Sequence, residues 1–155
     1  MRDRISQAIK GAMKSGAKQR LATLRLMLAA IKDRDIAVQM ETSGKPGARG
    51  GLDDAEVLQV LQKMIKQRRE SAETYLKGGR PELAAQEQAE IAIIEEYLPR
   101  QMSEGDTRTA VEAIAKELGA ASVKDMGRTM AELKKRYAGQ MDFAKASAIA
   151  KELLK

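Results

Sequence analysis

The sequence contains no cysteine and no histidine. Without thiols the chain can form no disulfide, no thiolate nucleophile and no cysteine-ligated metal site. Without imidazole it also lacks the side chain that most often carries protons near neutral pH. These two absences remove most familiar catalytic machinery, so we predict no catalytic residue, no metal site and no cofactor.

Long hydrophobic runs are missing as well. No apolar run approaches the ~18 residues that a membrane-spanning helix needs. The first sixteen residues, MRDRISQAIKGAMKSG, are charged and have neither a continuous apolar region nor a cleavage pattern typical of export signals. We therefore expect a water-soluble, cytoplasmic protein that has no membrane partner.

Aromatic residues make up 3% of the chain and there are three prolines, whereas Ala, Leu, Glu, Lys, Gln and Met are abundant. This composition favours helix, and no run of β-branched residues alternates with period two. We predict an all-α fold with helices near 5–13, 19–40, 53–77, 81–98, 103–118, 122–137 and 143–154. Pro99 disfavours helix continuation, so we expect a helical amino-terminal domain over 1–98 and a small three-helix domain over 99–155.

The glycine-rich segment ETSGKPGARGG, residues 41–51, is predicted to be a mobile loop. It contains lysine and glycine but lacks the Gly-Lys-Ser/Thr ending of a phosphate-binding P-loop, and it follows a helix rather than a strand. A nucleotide site is therefore not expected there.

Four charged residues fall on stripes that are otherwise apolar at 100° per residue. Arg25 and Arg68 lie on the second and third predicted helices, and Glu87 and Glu90 lie on the fourth. Charges facing a core are tolerated when they are paired and hydrogen-bonded, so we predict inter-helix ion pairs between these arginines and glutamates. The alternatives are a carboxylate pair for acid–base chemistry, or a metal-binding bundle that would lack its usual histidines.

The predicted helix over 123–137 has two contrasting faces. Its apolar stripe contains Val123, Met126, Met130, Leu133 and Tyr137. Lys124, Arg128 and Lys135 lie on a ridge roughly 160° away, and the small residues Gly127 and Ala131 form a shallow trough beside them. A phosphate backbone could approach closely over bare glycine. Alternatively, a neighbouring helix fills the trough and the lysines are merely solvated.

Three segments carry a resemblance to a known family. KQRRESAETYLKGGRPELA, EIAIIEEYLPRQMS and VKDMGRTMAELKKRYAGQMDFAKASAIAKELL together resemble the GatB/YqeY family in its stand-alone YqeY-like form. The resemblance implies a helical amino-terminal domain and a small carboxy-terminal domain similar to the tail of the B subunit of the glutamine-dependent aminoacyl-tRNA amidotransferase. That tail is associated with holding tRNA. Family labels also attach carbon–nitrogen ligase activity with glutamine as amido-N-donor, although this chain has no recognisable ATP-binding or glutaminase motif.

The tail motif can be carried over position by position. The matching residues are Lys124, Met126, Gly127, Met130, Lys134, Lys135 and Gly139. The run AGQMD departs from the tail's common pattern because Gln140 replaces a basic residue, which weakens the phosphate contact expected at that turn.

These observations lead to one principal functional hypothesis and two alternatives. We expect a non-catalytic accessory module that binds tRNA or assists tRNA-dependent amidation beside a tRNA-synthesis enzyme. Lys124, Arg128, Lys134 and Lys135 would contact phosphates, while Gly127 and Ala131 permit close approach. The first alternative is a helical protein-interaction adaptor whose trough receives a partner helix. The second is an amidotransferase-related enzyme that requires another subunit.

Overall fold

The computed structural model describes residues 1–42 and 51–155, so most of the predicted loop over 41–51 lies outside the described residues. The helices are α1 (Arg2–Ser15), α2 (Lys18–Thr42), α3 (Asp54–Lys77), α4 (Pro81–Glu95), α5 (Glu104–Glu117), α6 (Met126–Tyr137) and α7 (Phe143–Leu153). A single 3-10 turn, Val123–Asp125, precedes α6. The described ranges contain no strand, and the all-α prediction is confirmed.

Side-chain caps fix where several helices begin. The Asp53 carboxylate accepts a hydrogen bond from the Glu56 amide at 2.9 Å, and Glu56 reciprocates to the Asp53 amide at 3.0 Å. This capping box satisfies two backbone donors at the start of α3. The Ser103 hydroxyl accepts from the Asp106 amide at 3.1 Å, and Asp142 accepts from the Ala144 amide at 3.0 Å. The starts of α5 and α7 are therefore also set by local sequence.

The chain divides into two compact units, the amino-terminal unit Met1–Leu98 and the carboxy-terminal unit Pro99–Lys155. In the amino-terminal unit, α1 to α4 enclose one apolar core. Its fully buried side chains include Ile5, Leu24, Met27, Ile31, Val57, Leu61 and Ile94. In the carboxy-terminal unit, α5 to α7 enclose a second core that includes Val111, Ile114, Leu133, Met141, Ala146 and Ala150.

A largely shielded ion pair joins α3 to α4 inside the amino-terminal unit. The Arg68 Nε donates to the Glu90 Oε2 at 2.9 Å, and the two side chains are only 14% and 16% exposed. A second donor of Arg68, Nη1, reaches the Met64 carbonyl at 3.3 Å. Arg68 is therefore held at both ends of its guanidinium while it links the two helices.

Arg25 and Glu87 take different positions from those expected. Arg25 is exposed, so its placement on a buried stripe was wrong. The face of α2 that turns inward contains Leu24 and Met27, and Arg25 lies about 130° from the centre of that face. Glu87 is half-buried on α4, and in the described part of the chain no ion pair joins it to an arginine.

A second polar link fastens the start of the chain to α2 and to the residues before α3. Arg2 Nη2 donates to the Asp35 Oδ1 at 2.6 Å and to the Leu52 carbonyl at 3.3 Å. The Leu52 amide donates to the same Asp35 oxygen at 2.9 Å. A side chain at Gly51, where φ is +139°, would bring its Cβ within 3.1 Å of that oxygen. The carboxylate of Asp35 thus organises three segments.

This link predicts a stability change in acid. The Arg2 hydrogen bond, assisted by the Leu52 amide, lowers the pKa of Asp35 in the folded state. The folded protein therefore binds this proton less tightly than the unfolded chain, whose aspartates have a pKa of about 3.9. The stabilisation is present above that pH and is lost as pH falls through the lower folded pKa.

We expect Asp35→Asn to be less stable than the native chain at neutral pH. As the pH falls, the variant should lose less stability than the native chain does. The measurement is denaturant unfolding of both proteins between about pH 7 and pH 3. Asp33→Asn is the matched control, because Asp33 is exposed on the same helix. Parallel pH curves for the native chain and Asp35→Asn would show that Asp35 does not contribute in this way.

Candidate nucleic-acid interface

The six residues predicted to contact nucleic acid lie on one exposed face. Lys124 belongs to the 3-10 turn before α6, and the other five residues belong to α6. At 100° per residue the five residues on α6 span an arc of about 120°. Every member is exposed: Lys124, Gly127, Arg128, Ala131, Lys134 and Lys135. We call these six residues the α6 basic face.

The opposite side of α6 holds the helix on the carboxy-terminal core. Leu133 and Thr129 are fully buried, and the Thr129 hydroxyl donates to the Asp125 carbonyl at 2.9 Å. Met126 and Met130 pack partly against the same core. Val123, expected on the apolar stripe, is instead 54% exposed because it lies in the 3-10 turn, where the α-helical period does not apply. The basic face is thus turned away from the core of its own unit.

Space over Gly127 is open. A Cβ built on this glycine would have no atom of a neighbouring segment within 4 Å. Among the described residues no neighbouring helix fills the trough at this position. The glycine leaves backbone accessible between Lys124 and Lys134, where a flat or extended ligand can lie close to the helix.

The cations of the α6 basic face differ in whether they form an ion pair within the protein. Arg128 Nε donates to the Asp125 Oδ1 at 3.1 Å, which partly neutralises it. Asp125 also accepts the amides of Ala121 and Ser122, and these backbone hydrogen bonds lower its pKa. In the described ranges no ion pair involves the three lysines of the face, Lys124, Lys134 and Lys135. The lysines therefore provide the available positive charge.

Arg136 follows Lys135 in the sequence, but its guanidinium already binds two carboxylates. Its Nη1 and Nη2 donate to the two carboxylate oxygens of Glu117 at 2.9 and 2.8 Å, and its Nε donates to Glu132 at 2.7 Å. The two carboxylates raise the pKa of Arg136 further above its usual range. Arg136 therefore fixes α6 against α5, which supports the neighbouring lysines without leaving a free cation of its own.

The turn after α6 contains a glycine whose backbone conformation other residues rarely adopt. Gly139 is buried with φ at +76°, a conformation that a residue with a Cβ rarely adopts. Its carbonyl accepts from the Gln101 side chain at 2.6 Å, and the Gln140 carbonyl accepts from the Met102 amide at 2.8 Å. Gly139, one of the positions matched by resemblance, thus closes the end of α6 onto the segment before α5.

Residues 1–42 and 51–155 contain neither a candidate metal site nor a helix suited to a membrane. No group of three or more acidic side chains within that part of the chain could hold a metal ion. None of its helices is long and apolar enough to cross a membrane.

The described residues form two small, all-helical units, and comparison with known sequences identifies the family. A family model described as Yqey-like protein matches residues 2–154. The chain therefore belongs to the YqeY-like family, as the sequence segments predicted.

Curated relatives are yeast proteins named altered inheritance of mitochondria protein 41, mitochondrial. The protein from Eremothecium gossypii is 33% identical over 94 residues, which cover 61% of this chain and 46% of that protein. The protein from Lachancea thermotolerans is 34% identical over the same shares. The Saccharomyces cerevisiae protein is 30% identical over 90 residues, or 58% of this chain and 44% of that protein. The chain spans about half the length of the curated relatives it matches.

Proposed function

We propose that this protein is an accessory module that binds tRNA through the α6 basic face. The observation that carries the proposal is the combination of open space over Gly127 with three lysines that have no ion pair in the described part of the chain. Phosphate contacts supply most of the sequence-independent affinity for nucleic acids. A face with flexible cations around bare backbone suits a curved phosphate backbone better than it suits a small ligand.

The cations on the face have unequal parts in this proposal. Lysine is a compact charge on a flexible stem, so Lys124, Lys134 and Lys135 can follow phosphates at varied positions. Arg128 must exchange its Asp125 partner for a phosphate before it contributes fully. Ala131 keeps the surface shallow between them. We therefore assign the larger part of the affinity to the lysines.

In this proposal the module assists tRNA-dependent amidation without performing it. A tRNA-synthesis enzyme would supply the amide-transfer chemistry, including any carbon–nitrogen ligase activity that uses glutamine as donor. This chain would hold the tRNA, a task that needs neither histidine nor cysteine. We propose the cytoplasm as its compartment, whereas the names of the yeast relatives refer to mitochondria.

Gly127→Leu tests the proposal directly. The added side chain enters open space and replaces glycine within a helix, so stability should be unchanged or up to about 1 kcal/mol higher. The same side chain stands where the phosphate backbone is proposed to lie. We expect tRNA binding to weaken at least about tenfold at about 100 mM salt, measured by fluorescence anisotropy with labelled tRNA.

Gly11→Leu is the matched control. Gly11 is also an exposed helical glycine with no neighbouring atom within 4 Å of a built Cβ, but it lies on α1. Its replacement should leave tRNA affinity unchanged. Equal affinities for the native chain and Gly127→Leu would refute the proposed surface. A loss of about 1 to 3 kcal/mol in the stability of Gly127→Leu would instead indicate that the trough is a helix-packing seam within the chain.

A further inference from the structure

The outward side of α2 carries an apolar stripe that no described residue of its own unit covers. Three of its residues are large: Leu26, Ile36 and Met40 are 48%, 56% and 73% exposed. The alanines Ala22 and Ala29 are exposed between them. At 100° per residue these five side chains lie within about 80° of arc. We call them the α2 stripe. Because the inward side of α2 is also apolar, the helix has two faces suited to packing.

Charge is distributed unevenly along the two edges of the α2 stripe. One edge carries the exposed cations Lys18, Arg25 and Lys32, and in the described ranges no ion pair involves them. On the other edge, Arg34 and Glu41 pair with each other at 3.4 Å. Asp33 lies within the arc of the stripe itself. The surface is therefore apolar along its length, basic along one edge, and has one acid near its middle.

We propose that the α2 stripe is a docking surface for an amphipathic helix of another protein, whose acidic residues run along one edge opposite Lys18, Arg25 and Lys32. The alanines form hollows between Leu26 and Ile36 into which side chains of a second helix can pack. Acidic side chains on the partner would match the basic edge. A partner cation opposite Asp33 would complete the match. This surface is distinct from the α6 basic face.

Two other occupants fit the surface less well. A membrane surface would force the Asp33 carboxylate toward the acyl chains, and the stripe has none of the aromatic residues on which interfacial helices commonly rely. A second copy of the chain, packed antiparallel through the same stripe, would place one basic edge beside the other, where like charges repel. A helix from a different protein avoids both costs.

The test uses two synthetic amphipathic peptides of about three heptads with leucine at the core positions. One carries glutamate along one edge and a lysine placed to face Asp33, and the other replaces the edge glutamates by lysines. We expect the full chain to bind the acidic-edge peptide at least about tenfold more tightly at about 100 mM salt. Leu26→Ala/Ile36→Ala should weaken this binding about tenfold or more. Binding is read by fluorescence anisotropy of the labelled peptide.

Leu76→Ala is the control, since Leu76 is 54% exposed on α3 and its loss should leave peptide binding unchanged. Absence of binding to the acidic-edge peptide, equal binding of both peptides, or binding that survives Leu26→Ala/Ile36→Ala would overturn the proposal. So would association with vesicles of phosphatidylcholine and phosphatidylserine that the double variant abolishes. A dimer in sedimentation that the same variant abolishes would assign the stripe to a second copy instead.

Discussion

Arg68→Ala is expected to lower the free energy of unfolding of the amino-terminal unit by about 3 kcal/mol. The substitution removes the partner of the Glu90 carboxylate, which is only 16% exposed and accepts the Arg68 Nε–H at 2.9 Å. Little water can replace that donor, so the charged carboxylate stays poorly solvated between α3 and α4. For a unit of this size the loss corresponds to a fall in melting temperature of roughly 12 to 24 °C.

The neighbouring arginine provides a matched control. Arg69 pairs with Glu95 at 3.2 Å, but the two side chains are 64% and 46% exposed. Exposed pairs contribute about 0 to 1 kcal/mol, so Arg69→Ala should change the melting temperature by only a few degrees. Arg68→Met/Glu90→Leu should recover most of the loss, because an apolar pair leaves no buried charge. Equal losses for Arg68→Ala and Arg69→Ala would contradict this account of the pair.

Because α3 and α4 are amphipathic helices, the inward placement of Arg68 and Glu90 could be predicted from the sequence. On α3 and α4 the buried residues form single stripes, so the 100° period places Arg68 and Glu90 toward the same interior. The same reasoning failed on α2, where apolar residues occur on two faces and the period alone does not identify the inward one. Arg25 was therefore assigned to the wrong side. Which arginine meets which glutamate depends on helix packing, which the sequence does not specify.

In the candidate site, too, features within one helix could be predicted from the sequence, whereas contacts between helices could not. The exposed and buried sides of α6 follow from its helical period, and the Arg128–Asp125 contact joins residues only three apart in the chain, at the start of α6. The contact between Arg136 and Glu117 joins residues 19 positions apart and depends on how α5 packs on α6. Likewise, whether the space beside Gly127 is filled depends on which segments surround α6. Tertiary packing decides both, and no local pattern predicts it.

The tRNA affinity of the native chain is expected to fall about 100-fold between about 50 and 200 mM salt. Four phosphate contacts, from Lys124, Arg128, Lys134 and Lys135, would release about four counterions, and each contributes about −0.9 to the slope of log K against log salt. The expected slope is therefore about −3.6. A surface that binds mainly through apolar contacts would give a slope near zero.

Lys134→Ala/Lys135→Ala should remove about two of these contacts and flatten the slope to about −1.8. Lys63→Ala/Lys66→Ala is the control, since it removes the same net charge from exposed positions on α3 in the amino-terminal unit. Its slope should remain near that of the native chain. This comparison separates local contact from a general effect of net charge.

The most direct test of the central claim is thus a salt-dependent titration of labelled tRNA with the native chain and these two double variants. The proposed interface predicts a steep slope for the native chain and for Lys63→Ala/Lys66→Ala, and about half that slope for Lys134→Ala/Lys135→Ala. Equal slopes for all three proteins, or equal flattening in both variants, would contradict binding through the α6 basic face.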